Sequence, residues 1–364
     1  MSKNDEEYKT RVKKIRDEME KKGLDALYIC NASDARYVSN YRLGGVVLLP
    51  VESDPILLVS DGKQPGTATM VYPLWTEECN IEIKQSTNFA RETKEFFKEL
   101  GVTSGNIGIT DNKIPYLVYT QLQKELPDAK LEFASDLVAE IRLVKSEWEL
   151  KFYRRACEIA DASYETLCEV AKPGVKEYEV TAACEHTCKT LGAESYFGQW
   201  SMGPSTYITF RGDWPIDRRL KKGDMIACET NPRYEGYSGH FGRTIVLGKP
   251  TAEQEKLLNV LLEAQKEGIK MVVPGSKCLD VEKFMYDFIV NKGYDRKYIT
   301  HQLSHDVDVP FLKARITFKP GMTWSIHPGA FVPGVGGGFI NDLVLIRSDR
   351  SELFFKSPRE LVQI

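Results

Sequence analysis

No stretch of this 364-residue chain approaches the roughly 20 apolar residues that a bilayer-crossing helix needs. Its opening, MSKNDEEYKTRVKKIRDEMEKKG, is charged throughout and lacks the apolar centre of a signal peptide. The formal net charge of -3 provides no basic field, so neither nucleic acid nor an anionic membrane is expected as a partner. Eight cysteines are scattered without a small-domain disulfide pattern, as in a protein of the reducing cytoplasm. Cys184 and Cys188 flank His186 at helical spacing with no second Cys/His pair nearby, which reads as helix packing rather than a metal site. The run GVGGG at 334–338 is followed by no Lys-Ser/Thr, so it is a bend and not a phosphate loop. Histidine is scarce too, at five residues, and this makes its placement informative.

The composition, 28% charged and 42% hydrophobic, is that of a globular protein long enough for two cores. A helical pattern over 5–23 ends at Lys22-Gly23, and Ala26–Cys30 reads as a buried strand. Val46–Leu49 and Pro55–Ser60 are two further strands, joined by a polar turn at 52–54. A helix over 88–100 and a strand at 107–109 continue the alternation, which predicts an α/β domain over 1–138. The segment Glu140–Glu149 opens a long charged helix running to about Val170, at the start of a second domain, 139–364.

That second domain contains a faint internal repeat. Pro173-Gly174-Val175-Lys176 returns as Pro274-Gly275-Ser276-Lys277, and Leu220-Lys221-Lys222-Gly223-Asp224-Met225 returns as Phe318-Lys319-Pro320-Gly321-Met322. Both echoes keep their order, which predicts two related α+β halves packed face to face. Glu229 and His327 each stand six residues after the turn glycine, so they occupy equivalent places facing a shared cleft.

The segments CETNPRYEGYSGHFGRT, YITHQLSHD, WSIHPGAF and GGFINDLVLI resemble the creatinase/aminopeptidase P/prolidase/methionine aminopeptidase family. Framework residues agree: Gly236-Tyr237 before His240, Arg243-Thr244 after it, Pro328-Gly329 after His327, and Asp342 after Asn341. The resemblance implies a creatinase-type α/β N-terminal domain and a pita-bread C-terminal domain with duplicated halves. It also implies a homodimer.

In that family five positions read Asp, Asp, His, Glu, Glu and hold two divalent metals; here they read Glu229, His240, His301, His327 and Asn341. The missing carboxylates argue against the usual dinuclear manganese or cobalt peptidase, because paired cations need bridging carboxylates. Three readings stay open. One transition metal of the zinc, iron, nickel or copper class sits on Glu229, His240, His301 and His327. Alternatively a metal-free, creatinase-like site uses Glu229 and His301 for proton transfer, or the cleft binds a ligand or protein without catalysis. Arg211, Asp213 and Trp214, among the aromatics Trp200, Tyr207 and Phe210, suit a small charged molecule, with Arg243, Asp308, His240, His327 and Asn341 as further substrate contacts. The leading expectation is hydrolysis of a non-peptide C–N bond, an amidine or amide, in a small charged metabolite. The alternatives are an Xaa-Pro aminopeptidase or dipeptidase and a non-catalytic binding protein.

Overall fold

The computed structural model describes residues 3–60, 79–203, 215–300, 303–309 and 316–364, with side chains from residue 6 onward. The chain divides into two compact units, Met1–Arg142 and Leu143–Ile364, a few residues beyond the junction expected at 138.

In the first unit the chain runs α1 (Lys3–Lys22), β1 (Ala26–Ile29), α2 (Ala32–Ser39), β2 (Val46–Pro50), β3 (Ile56–Ser60), β4 (Glu82–Ser86), α3 (Phe89–Glu99), β5 (Asn106–Ile109), α4 (Tyr116–Glu125), β6 (Lys130–Phe133) and α5 (Ser135–Leu143). The strands form one sheet in the order β4-β3-β2-β1-β5-β6. Both faces of its central strands are covered by apolar clusters, so β1 and β2 are apolar without alternation. The segment after β1 is a helix because Asn31 caps it, its side chain accepting from the amides of Ser33 at 3.0 Å and Asp34 at 3.2 Å.

The second unit is built twice from one plan. Its first half runs α6 (Glu147–Val170), α7 (Glu177–Thr190), β7 (Ser195–Met202), β8 (Met225–Tyr234), β9 (Tyr237–Ser238) and β10 (Phe241–Val246). Its second half runs α8 (Ala252–Lys270), α9 (Cys278–Asn291), β11 (Ser304–His305), β12 (Thr323–Ile326), β13 (Gly329–Val332), β14 (Gly336–Phe339), β15 (Asp342–Ile346), β16 (Ser351–Leu353) and β17 (Val362–Gln363). The strands order as β17-β10-β8-β7 with β9 on β8, as β11-β12-β15-β16, and as the hairpin β13-β14, whose turn and second strand contain the glycine run.

The sequence echoes coincide with matching main-chain bonds. Gly174 N donates to Leu220 O at 2.8 Å, and Gly275 N donates to Phe318 O at 2.9 Å. Gly223 N reaches Leu247 O at 2.7 Å, and Gly321 N reaches Ile346 O at 2.8 Å. Both turn glycines hold φ at 87°, a conformation that side chains disfavour. Both long helices open with a capping box, Ser146 with Glu149 on α6 and Thr251 with Gln254 on α8. Helix α6 buries Leu150, Tyr153, Cys157, Ala160, Tyr164 and Leu167, a 3.6-residue stripe, against Phe241, Ile245 and Leu343 of the sheets. Cys184 and Cys188 are buried on α7, whereas His186 is exposed. Trp200 is buried in the same core.

Candidate active site

Strand register assembles the site. Glu229 on β8 lies opposite Gly242 on β10, and Gly242 is bridged in turn to Asn341. Gly242 N donates to Asn341 O at 3.2 Å and Asn341 N to Gly242 O at 2.8 Å, which joins the two halves. Residues directly opposite in such a row project to the same face, so Glu229 and Asn341 share one. Only glycine fits between them: a Cβ at 242 would stand 2.3 Å from the Phe339 ring and 2.9 Å from Asn341 Cβ.

Immediately before β10, His240 places Nε2 2.5 Å from Glu229 Oε1, and the same oxygen accepts from Asn231 Nδ2 at 3.0 Å. Glu229 is 8% exposed and His240 5%. Burial pushes the Glu229 carboxyl up, but the hydrogen bonds and charge of His240, with help from Asn231 and His305, more than offset it and hold the group below its ordinary value. Among the described residues His240 Nδ1 is buried with no hydrogen-bond partner.

The second half contributes two more rings. His305 on β11 lies opposite Ser325 on β12, and His327 follows β12 with its amide on Leu303 O at 2.9 Å. Ring centroids stand 4.9 Å apart for His240 and His305, 4.8 Å for His305 and His327, and 5.7 Å for His240 and His327. Burial and the neighbouring His240 lower the His305 pKa to about 4, so this ring is neutral near pH 7. Asn341 is fully buried, and its Oδ1 accepts from Ser325 Oγ at 2.7 Å.

Of the residues expected from sequence, Glu229, His240, His327 and Asn341 are gathered here. His301, Arg211, Asp213 and Trp214 lie outside the described residues, as do Tyr207 and Phe210. Arg243, expected at the substrate, instead spends five N–H···O bonds on Pro358 O, Gly242 O, Asn341 O, Ser357 O and Asp342 Oδ1. With its guanidinium so occupied and the residue 2% exposed, it knits the site's backbone and is not a substrate clamp. Asp308 accepts from the Tyr153 hydroxyl. The sequence left His305 open between lining the cleft and facing solvent, and its motifs gave no sign of Asn231 or Ser325. Strand alternation was the available signal for Asn231, two residues beyond Glu229 on β8.

This geometry can be set beside known proteins. The Creatinase/Prolidase N-terminal domain matches residues 11–144, and Metallopeptidase family M24 matches residues 151–348. The chain belongs to metallopeptidase family M24, with the pita-bread fold. It is 29% identical over 360 residues to an Xaa-Pro dipeptidase of Pyrococcus horikoshii, covering 97% of this chain and 98% of that one. The solved prolidase from Pyrococcus horikoshii OT3 superposes with a TM-score of 0.84 at 29% identity, covering 97% of this chain and 100% of that one. An Xaa-Pro dipeptidase from Bacillus anthracis does so at 0.84 and 26% identity, covering 98% and 100%. These relatives overturn the expectation of creatinase-like hydrolysis of a non-peptide C–N bond. The lost carboxylates had suggested a change of reaction, yet proteins that align along nearly the whole chain are Xaa-Pro dipeptidases and prolidases by name.

Proposed function

We propose that this protein hydrolyses the amide bond of short peptides, with Xaa-Pro dipeptides as the first substrate class. The observation that carries the reading is the Glu229–His240 contact at the junction of the two halves, in a chain that aligns over 97% of its length with an Xaa-Pro dipeptidase. Glu229, ionised below the ordinary carboxylate range, accepts the proton of a water whose oxygen attacks the scissile carbonyl carbon. The C–N bond then breaks, and the proton passes to the departing proline nitrogen, leaving a free acid and a free amine. Buried donors are suited to the carbonyl oxygen as it gains charge, and Asn341 Nδ2, buried with no hydrogen-bond partner among the described residues, is such a group.

We also infer that the site takes at most one metal ion. Two adjacent cations need bridging carboxylates, whereas Asn341 is a neutral amide already engaged by Ser325. Glu229 is a carboxylate hydrogen-bonded to His240. Three imidazoles and a carboxylate, His240, His305, His327 and Glu229, are donors of the type zinc, iron, nickel or copper prefers. Such an ion would supply Lewis acidity toward the carbonyl or water. Among the described residues no three donors already stand in ligating arrangement, so binding would draw the rings together.

A homodimer and a cytoplasmic location belong to the same reading; no helix among the described residues is long and apolar enough to cross a membrane. The test is hydrolysis of Ala-Pro by the full chain, chelated and then reloaded with zinc or manganese, with elemental analysis and light scattering alongside. Turnover that Glu229→Gln abolishes, at one equivalent of metal or fewer, is the expected result. Two equivalents sink the single-ion inference. Binding of Ala-Pro with no turnover under any loading sinks the hydrolase reading in favour of a binding protein.

A further inference from the structure

His305 reaches the site on a strand of only two residues, β11, whose pairing with β12 consists of Ser304 opposite Ile326 and His305 opposite Ser325. So short a ladder does little to hold a side chain in one place. The residue that follows is tied down far more firmly. Asp306 is fully buried, and its Oδ2 lies 2.6 Å from Lys145 Nζ in an ion pair whose side chains are 0% and 1% exposed. Its Oδ1 accepts from the amides of Asp308 at 2.9 Å and Val309 at 2.8 Å. Lys145 is itself fixed: its ammonium also donates to Leu143 O at 3.2 Å, and its amide donates to Gly321 O at 2.9 Å. Nearly two turns into α6, Tyr153 bonds Asp308 through its hydroxyl.

The main-chain carbonyl of Asp306 lies 2.8 Å from His305 Nδ1. A carbonyl only accepts, so Nδ1 carries the proton and the Nε2 lone pair is left for the cluster with His240 and His327. A buried ion pair adds little net stability over an apolar pair of similar size, and its best-attested use is to specify one arrangement.

We propose that Lys145 is a positioning residue, acting through Asp306 to hold the His305 imidazole in one place and one tautomer within the site. The inference extends the hydrolase reading above, but its main readout does not depend on turnover. The full chain is labelled with ¹⁵N-histidine, freed of metal, and the His305 ring nitrogens are assigned with His305→Gln. In the native protein His305 gives the Nδ1-protonated pattern. Lys145→Met strands a buried carboxylate and is expected to be poorly folded, so the decisive variant is Lys145→Met/Asp306→Asn. It removes both charges yet keeps an acceptor for the amides of Asp308 and Val309.

That double variant is expected to fold with a native-like melting curve while His305 moves to a mixed tautomer pattern. Where Ala-Pro is turned over, kcat should fall ~10- to 100-fold with little change in KM, the cost of a misplaced group. Lys145→Arg should restore much of both signals. A double variant with the native His305 pattern and native kcat would overturn the proposal and leave the pair a purely structural role. A displaced His305 pattern in a protein that never cleaves Ala-Pro would retain the positioning role and reject the hydrolase reading alone.

Discussion

The two halves of the second unit share a main-chain plan and differ in the side chains they set on it. Turns at Gly223 and Gly321 make equivalent bonds, to Leu247 and Ile346, and capping boxes open both α6 and α8. At the paired positions beyond those turns the chemistry separates. The first half sets a carboxylate, Glu229, ringed by His240 and Asn231. The second sets the imidazole of His327 beside His305 and Phe339, with the neutral Asn341 tied to Ser325. Duplication supplied matched places to stand, and the carboxylate of Glu229 stands opposite the imidazole of His327. A binding face that is largely neutral on the other side suits an uncharged peptide group better than a strongly charged one.

The largest effect that would break this asymmetry is chemical. Glu229→Gln should reduce Ala-Pro hydrolysis by ~10²- to 10⁴-fold, the usual weight of a general base. Asn341→Ala, across the row, should cost less, and equal losses measured as kcat/KM would show that the halves share the work. Next comes acid sensitivity of the metal-free protein. His305 titrates near 6.5 when unfolded and at about 4 when folded, so between those values the unfolded chain binds the extra proton. Stability should therefore fall as pH drops from 6.5 toward 4, by up to about 3 kcal/mol from this group, and Glu229, held low in the fold, adds to the loss in the same direction. Urea titrations at pH 7 and pH 4.5 read it, and a slope unchanged by His305→Gln would contradict it.

Smaller again is Gly242→Ala, whose methyl group meets Phe339 and Asn341; about 1 to 3 kcal/mol should be lost by thermal melting. The smallest effect tests the symmetry itself. Ser146→Ala and Thr251→Ala should each cost about 1 kcal/mol, and a large difference between them would mean that the two halves are not equally dependent on their caps.

Much of the framework was legible because it is written locally. The charged segment Glu140–Glu149 announces a long helix, the continuous apolar runs announce buried strands, and the repeated Pro-Gly turn, with Lys222-Gly223 echoed by Pro320-Gly321, aligns Glu229 with His327. The site was less legible where strand pairing decides it. His305 sits on a strand of two residues that pairs with β12, and no periodicity in the sequence marks so short a strand. Arg243 looked available because four of its five acceptors are backbone carbonyls, two of them more than a hundred residues away, and residue types do not report where carbonyls will be. The function was misread for a related reason. Missing carboxylates bear on how cations can be bridged, and they do not say which bond is cut.

The tail that Arg243 grips has a bearing on how the sheet is closed. Besides the bonds to Ser357 and Pro358, β17 pairs in parallel with β10, matching Ile245 with Val362, and Gly248 N donates to Ile364 O at 2.6 Å. The outer edge of β10 at Ile245 and Val246 is thus covered only by residues more than a hundred positions further along the chain. A chain lacking residues 357 onward would therefore leave the Arg243 guanidinium short of two acceptors and the end of β10 open to pairing with a second chain.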